Sequence, residues 1–184
     1  MAKEALKFGV TTSDHMLEVD WDVSGGWGAP RITPYAPFAL DPACTVFHYG
    51  LAAFEGMKAY RDVAGRGVRL FRPALNMARL GRSMARLALG PPGTGLDEPG
   101  FLAAIAALTK EEAGWVPSGE GYSLYLRPTV LGTQAALGVG PSTHLKLFTI
   151  ACPVGPYYPS GFKPVSIYAE RAAVRAWPGG VGDI

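Results

Sequence analysis

The chain has 184 residues, 48% of them hydrophobic, and a formal charge of +2. That length holds one domain, or one domain and part of a second, and the apolar share suffices for a sizeable core. The charge is too mild to argue for a nucleic-acid surface. Cys44 and Cys152 are too few and too far apart for a disulfide framework or a sequence-local zinc site.

Residues 1–45 are rich in turn signals, including Gly25-Gly26, Pro34, Pro37 and Asp41-Pro42, and Met16, Val19 and Trp21 mark a short strand among them. Residues 1–8 lack the apolar stretch of a secretory signal and the Arg- and Ser-rich pattern of a transit peptide. No apolar run approaches membrane-spanning length, so the expectation is a cytoplasmic protein without a membrane partner. Residues 46–60 suit strands with pauses at Gly50 and Gly56. Val68-Arg69-Leu70-Phe71-Arg72 alternates apolar and basic, and pairs with Lys58-Ala59-Tyr60 in a predicted hairpin across residues 62–67.

Pro73 opens a predicted helix with Leu75, Leu80, Met84 and Leu87 on its apolar face and Arg79, Arg82 and Arg86 on another. A second helix starts near Asp97, buries Phe101, Leu102, Ile105 and Leu108, and ends with Gly114 as its capping glycine. Strands are predicted over residues 122–131, 145–154 and 164–169, with residues 155–161 as a linker. Strands grouped apart from two consecutive helices give an α+β pattern, not alternating βαβ.

Three groups of residues bear on chemistry. In Tyr122-Ser123-Leu124-Tyr125-Leu126-Arg127 the period of two puts Ser123, Tyr125 and Arg127 on one face. That polar stripe is either a solvated strand face or a carboxylate grip, since a guanidinium holds a carboxylate by two parallel hydrogen bonds. Tyr49 and Phe54 either serve the core or wall an apolar pocket, and Glu55 is either a general base or, in the preferred reading, an ion-pair partner of Lys58. The arginines at 69, 72, 79, 82 and 86 are either a solvated face or, singly, a phosphate contact. His15, His48 and His144 have no metal-ligand spacing, and no GxSxG, P-loop or GxGxxG stands in the chain. No metal site is expected.

Taken in order, several blocks are more specific than any of them alone. Phe8-Gly9 and Ser13-Asp14-His15-Met16-Leu17 come first, then Phe47-His48-Tyr49, Phe54-Glu55-Gly56-Met57-Lys58-Ala59-Tyr60 and Leu70-Phe71-Arg72-Pro73 with Arg79. Ser123-Leu124-Tyr125-Leu126-Arg127-Pro128, Leu137-Gly138-Val139, Cys152-Pro153-Val154-Gly155-Pro156-Tyr157, Val174-Arg175-Ala176-Trp177 and Gly182 follow. This series resembles the branched-chain amino-acid aminotransferases, pyridoxal-phosphate enzymes of fold type IV, and spans nearly the whole chain.

The resemblance implies a small N-terminal α+β domain over residues 1–158, an interdomain loop over 159–163 and the truncated start of the large cofactor domain over 164–184. It implies amino transfer between leucine, isoleucine or valine and 2-oxoglutarate, with the branched-chain amino acids and their 2-oxo acids as partners and pyridoxal 5'-phosphate as cofactor. By position Arg79 takes the cofactor phosphate, while Phe8, Tyr49, Phe54, Tyr125 and Tyr157 surround the substrate side chain beside Arg127. Leu137 and Val139, with Tyr49, reach a partner subunit's pocket, which implies a homodimer. The Schiff-base lysine is placed after the glycine-rich block, beyond Ile184, so no residue here is catalytic and the chain alone is expected to be inactive. The other reading is a non-catalytic module that pairs with a full-length aminotransferase. Residues from Pro164 onward are expected to leave Ile167 and Tyr168 on an unprotected edge.

Overall fold

The structure is a computed structural model that describes residues 6–158, 160–161, 163–180 and 182. Its framework is an antiparallel sheet with strands β1 His15–Asp22, β2 Gly26–Trp27, β3 Arg31–Pro34, β4 Ala52–Phe54, β5 Met57–Arg61, β6 Val68–Leu70, β7 Ser123–Gly132 and β8 His144–Val154. The order across the sheet is β2-β1-β8-β7-β5-β6, with β3 also on β1 and β4 also on β7. The expected hairpin forms between β5 and β6, with Tyr60 opposite Arg69.

Alternation decides which side of the sheet is covered. Leu124, Leu126 and Val130 of β7, Leu145 and Leu147 of β8, and Leu17 and Val19 of β1 are all buried and share one face. Helices α2 Pro73–Arg86 and α3 Glu98–Glu111 cover that face through Met77, Leu80, Met84, Phe101, Ile105 and Leu108. Both helices begin as the sequence indicates. Pro73 stands in the first turn of α2, and the Asp97 side chain caps α3 by accepting from the Gly100 N–H.

Four expectations about elements are corrected. Residues 45–49 form a short helix, α1 Thr45–Tyr49, in place of a strand. Gly50 at φ 62° closes it in the left-handed region, a tertiary setting that overrides the strand preference of Val46 and its aromatic neighbours. In α2 Leu75 is exposed and Met77 takes its place in the buried stripe, while in α3 Leu102 is only partly buried. Gly114 does not cap α3, because the chain winds on into a 3₁₀ turn, Glu112–Trp115. Residues 164–169 form no strand, and Ile167 and Tyr168 are exposed. A strand needs a ladder partner, and none stands beside this segment among the described residues. Pro159, Phe162, Val181, Asp183 and Ile184 lie outside the described residues, so part of the expected loop and of the glycine-rich block does too.

Thr149 sits on the covered face of β8, opposite Leu17 and Pro128, with a buried Oγ1 that has no partner among the described residues. An unpaired buried hydroxyl costs about 1–3 kcal/mol. Thr149→Val is therefore expected to stabilise the chain by about 1 kcal/mol, raising Tm by roughly 2–4 °C in thermal unfolding. A loss of stability would show that the hydroxyl has a partner in solution, such as a buried water.

Candidate active site

On the sheet face away from the helices, period-two alternation sets Tyr125 and Arg127 side by side on β7. The Arg127 guanidinium donates to the Tyr125 hydroxyl from Nη2 at 2.8 Å and from Nε at 3.2 Å. Phe54 lies under the same guanidinium, 4.4 Å from the ring centroid. Phe8 packs edge-on against Tyr125 at 4.9 Å and contacts Tyr157 at 6.2 Å. Five of the expected site residues thus form one connected group: Phe8, Phe54, Tyr125, Arg127 and Tyr157. Lys58 is directly opposite Tyr125 across the β5–β7 ladder, and Cys152 is opposite it across the β7–β8 ladder. Burial pushes the Cys152 thiol up from its ordinary range, against weaker opposing effects of the Gly9 N–H and Arg127.

The remaining expected residues stand in two other groups. Tyr49, from the short helix, donates to the Leu137 carbonyl, and both are exposed. Val139 lies nearby in sequence and is also exposed. Arg79 is bound to Glu55 through Nη2 at 2.5 Å and Nε at 3.2 Å. The expected Glu55–Lys58 pair is replaced by this one, because α2 brings the stronger bidentate partner to the carboxylate. Asn76 completes the arrangement, donating from Nδ2 to Glu55 at 2.7 Å and to the Gly56 carbonyl at 2.8 Å. Asn76 stands in the sequence within the block Leu75-Asn76-Met77 before Arg79, which gives it no role of its own. Its signal was an amide standing beside Met77 in the stripe that leads to Leu80.

A separate cavity of about 690 Å³ takes none of these residues and is lined by Asp14, His15, Arg61, Glu112, Trp115 and others. Glu112 is only 2% exposed, accepts from the Asp14 N–H at 3.1 Å and lies 2.6 Å from His15 Nδ1. The hydrogen bond with Glu112 raises the His15 pKa above its ordinary 6.5, against a smaller opposing effect of burial. A histidine whose folded pKa is raised adds stability that is fully present below its unfolded value and is lost as pH rises through the folded one. The His15 ring is expected to titrate above 6.5 by NMR, and Glu112→Gln to bring the midpoint back down. A midpoint at or below 6.5 in the parent chain would contradict the pair.

No protein-family model matches the chain. Among curated proteins it is 54% identical over 181 residues to the branched-chain-amino-acid aminotransferase of Monosiga brevicollis, an alignment covering 98% of this chain and 45% of that protein. It is 47% identical to the cytosolic enzyme of that name from Saccharomyces cerevisiae, covering 97% of this chain and 46% of the relative. The mitochondrial enzyme of Mus musculus is 48% identical, with 98% and 45% covered. By sequence, the chain is similar to the branched-chain-amino-acid aminotransferases over nearly all of its own length. It spans about half the length of the curated relatives it matches.

Solved structures agree in fold. The branched-chain amino acid aminotransferase of Escherichia coli superposes with a TM-score of 0.58 at 19% identity, covering 79% of this chain and 41% of that one. The T.th. enzyme of the same name, crystallised with N-(5'-phosphopyridoxyl)-L-glutamate, gives 0.54 at 24% identity, covering 73% and 40%. The α+β architecture is that of the N-terminal domain of these fold type IV aminotransferases. The curated relatives include cytosolic and mitochondrial forms, and no helix among the described residues is long and apolar enough to cross a membrane.

Proposed function

We propose that this chain supplies the substrate-facing part of a pyridoxal-phosphate-dependent aminotransferase that moves an amino group between leucine, isoleucine or valine and 2-oxoglutarate. The observation that carries it is the Tyr125–Arg127 pair framed by Phe8, Phe54 and Tyr157. Three guanidinium N–H groups remain on Arg127 after its two bonds to Tyr125, enough to hold a carboxylate. The aromatic rings supply the apolar wall that an aliphatic side chain needs. Such a wall separates side chains that differ by one methylene by only about 1–3 kcal/mol, which suits a site serving three similar amino acids.

Arg79 fits a phosphate. Its guanidinium is half exposed, and Glu55 takes only two of its five N–H groups. Glu55 and Asn76 hold it in one orientation in advance. When bound, the cofactor supplies the electron sink that amino transfer requires. The residues of this chain orient the substrate carboxylate, exclude water with aromatic surface and hold one end of the phosphate. We assign the Schiff-base lysine to no residue of this chain. We further propose that residues 1–158 form the small domain, 159–163 the interdomain loop and 164–184 the start of the cofactor domain. Tyr49, Leu137 and Val139 would meet a second subunit in a homodimer, and the protein is placed in the cytosol.

The test is glutamate formation from each branched-chain amino acid with 2-oxoglutarate, measured on the gene's whole product and on the 184-residue chain. Turnover by the whole product with the chain alone silent supports the reading. A whole product inactive on all three amino acids overturns the assignment. Turnover by the chain alone overturns the placement of the lysine. The related T.th. enzyme has been crystallised with 4-methylvaleric acid, so that short carboxylate is a suitable binding probe.

A further inference from the structure

We infer that Gly56 is a positioning residue, and that the absence of a side chain there seats the Tyr125 phenol and, through it, aims the Arg127 guanidinium. The inference rests on the reading of that pair as the carboxylate grip. A Cβ at Gly56 would stand 2.2 Å from the Tyr125 hydroxyl oxygen, 2.9 Å from Cζ and 3.1 Å from Cε2, whereas ordinary contact begins at 3.4 Å. Backbone conformation is not the reason for glycine, since Gly56 has none of the positive φ angles found at other glycines of this chain. What the position lacks is room.

The strand register explains the clash. Phe54 pairs with Thr129 and Met57 with Leu126, so continuing the same ladder sets Gly56 opposite Arg127. A side chain at 56 would therefore point to the same face as Phe54, Tyr125 and Arg127. The backbone cannot retreat, because it is held on both sides. The Glu55 N–H donates to the Pro128 carbonyl at 2.9 Å, and the Gly56 carbonyl accepts from Asn76, itself only 8% exposed. The phenol has to yield instead. Its oxygen accepts both hydrogen bonds from Arg127 and its ring packs on Phe8, so moving it shifts the guanidinium and narrows the space beside the aromatic wall.

The test compares Gly56→Ala, Tyr125→Phe and the double variant in chains labelled with 3-fluorotyrosine. The fluorine resonance missing from Tyr125→Phe identifies residue 125. Gly56→Ala is expected to shift that resonance and to lower Tm by roughly 4–8 °C. In the Tyr125→Phe background, where the nearest atom is gone, the alanine should cost less than half as much. A Gly56→Ala chain that fails to fold while the double variant folds gives the same answer. An unmoved resonance, or equal costs in the two backgrounds, overturns the inference. In the gene's whole product, Gly56→Ala is also expected to raise the Kd for 4-methylvaleric acid at least tenfold. A parent protein that does not bind this probe sinks the carboxylate reading, while the fluorine and stability results still decide what seats Tyr125.

Discussion

Leu126→Ala is expected to remove about 3–5 kcal/mol of stability, a fall in Tm of about 10 °C or more. Leu126 has no exposed surface and lies on β7, with Met57 opposite it on one side and Ala151 on the other. Alanine there leaves a void between strands that are hydrogen-bonded along both edges, where the backbone has little freedom to close in. Leu102→Ala, at a position only partly buried on α3, should cost less than half as much. Thermal unfolding of both variants by circular dichroism checks the ranking. Equal losses would mean that the sheet interior is softer than its burial indicates.

Under the proposed function, Arg127→Gln is expected to lower kcat/KM for branched-chain amino acids about 100-fold, with little change in stability. The glutamine cannot present a charged fork, and it gives up the cation held over Phe54 at 4.4 Å. Hydrogen bonds to charged groups contribute about 1.5–3 kcal/mol, and each 1.4 kcal/mol is a factor of ten. Arg127→Lys keeps the charge but not the planar pair of donors, and should fall between the two. Rates within threefold of the parent for Arg127→Gln would remove this residue from the substrate grip. Leu126→Ala and Arg127→Gln thus separate the two faces of one strand, the first probing folding and the second the proposed substrate grip.

Much of that strand was legible in advance. The alternation through Leu124, Tyr125, Leu126 and Arg127 is strong enough to assign both faces, and Pro73 and Asp97 mark helix starts by local chemistry alone. The helix at residues 45–49 was not legible, because Val46, Phe47 and Tyr49 favour strands locally and only the surrounding fold winds them. The Glu55 partnership was misread for a related reason. Lys58 is near in sequence, but Asn76 and Arg79 arrive from a helix whose docking no local pattern reports. Gly56 looked like a pause between strands, and the phenol that fills its empty face comes from a strand far along the chain. Phe8 reaches the arginine group only because the segment before β1 passes Cys152, a contact between opposite ends of the sheet-forming sequence.

The sheet order also has a consequence for synthesis. Among the strands of the described residues, β1 leaves the ribosome first and its ladder partner β8 last. At about 5–20 residues per second, the wait between them is on the order of ten seconds. During it, β2 and β3 can close on one edge of β1, but its other edge has nothing to bind. Leu17, Val19 and Trp21 remain without their β8 neighbours until β7 and β8 emerge as an antiparallel pair. Closing this sheet therefore waits for β8, and a nascent chain paused before His144 presents an open strand to its surroundings.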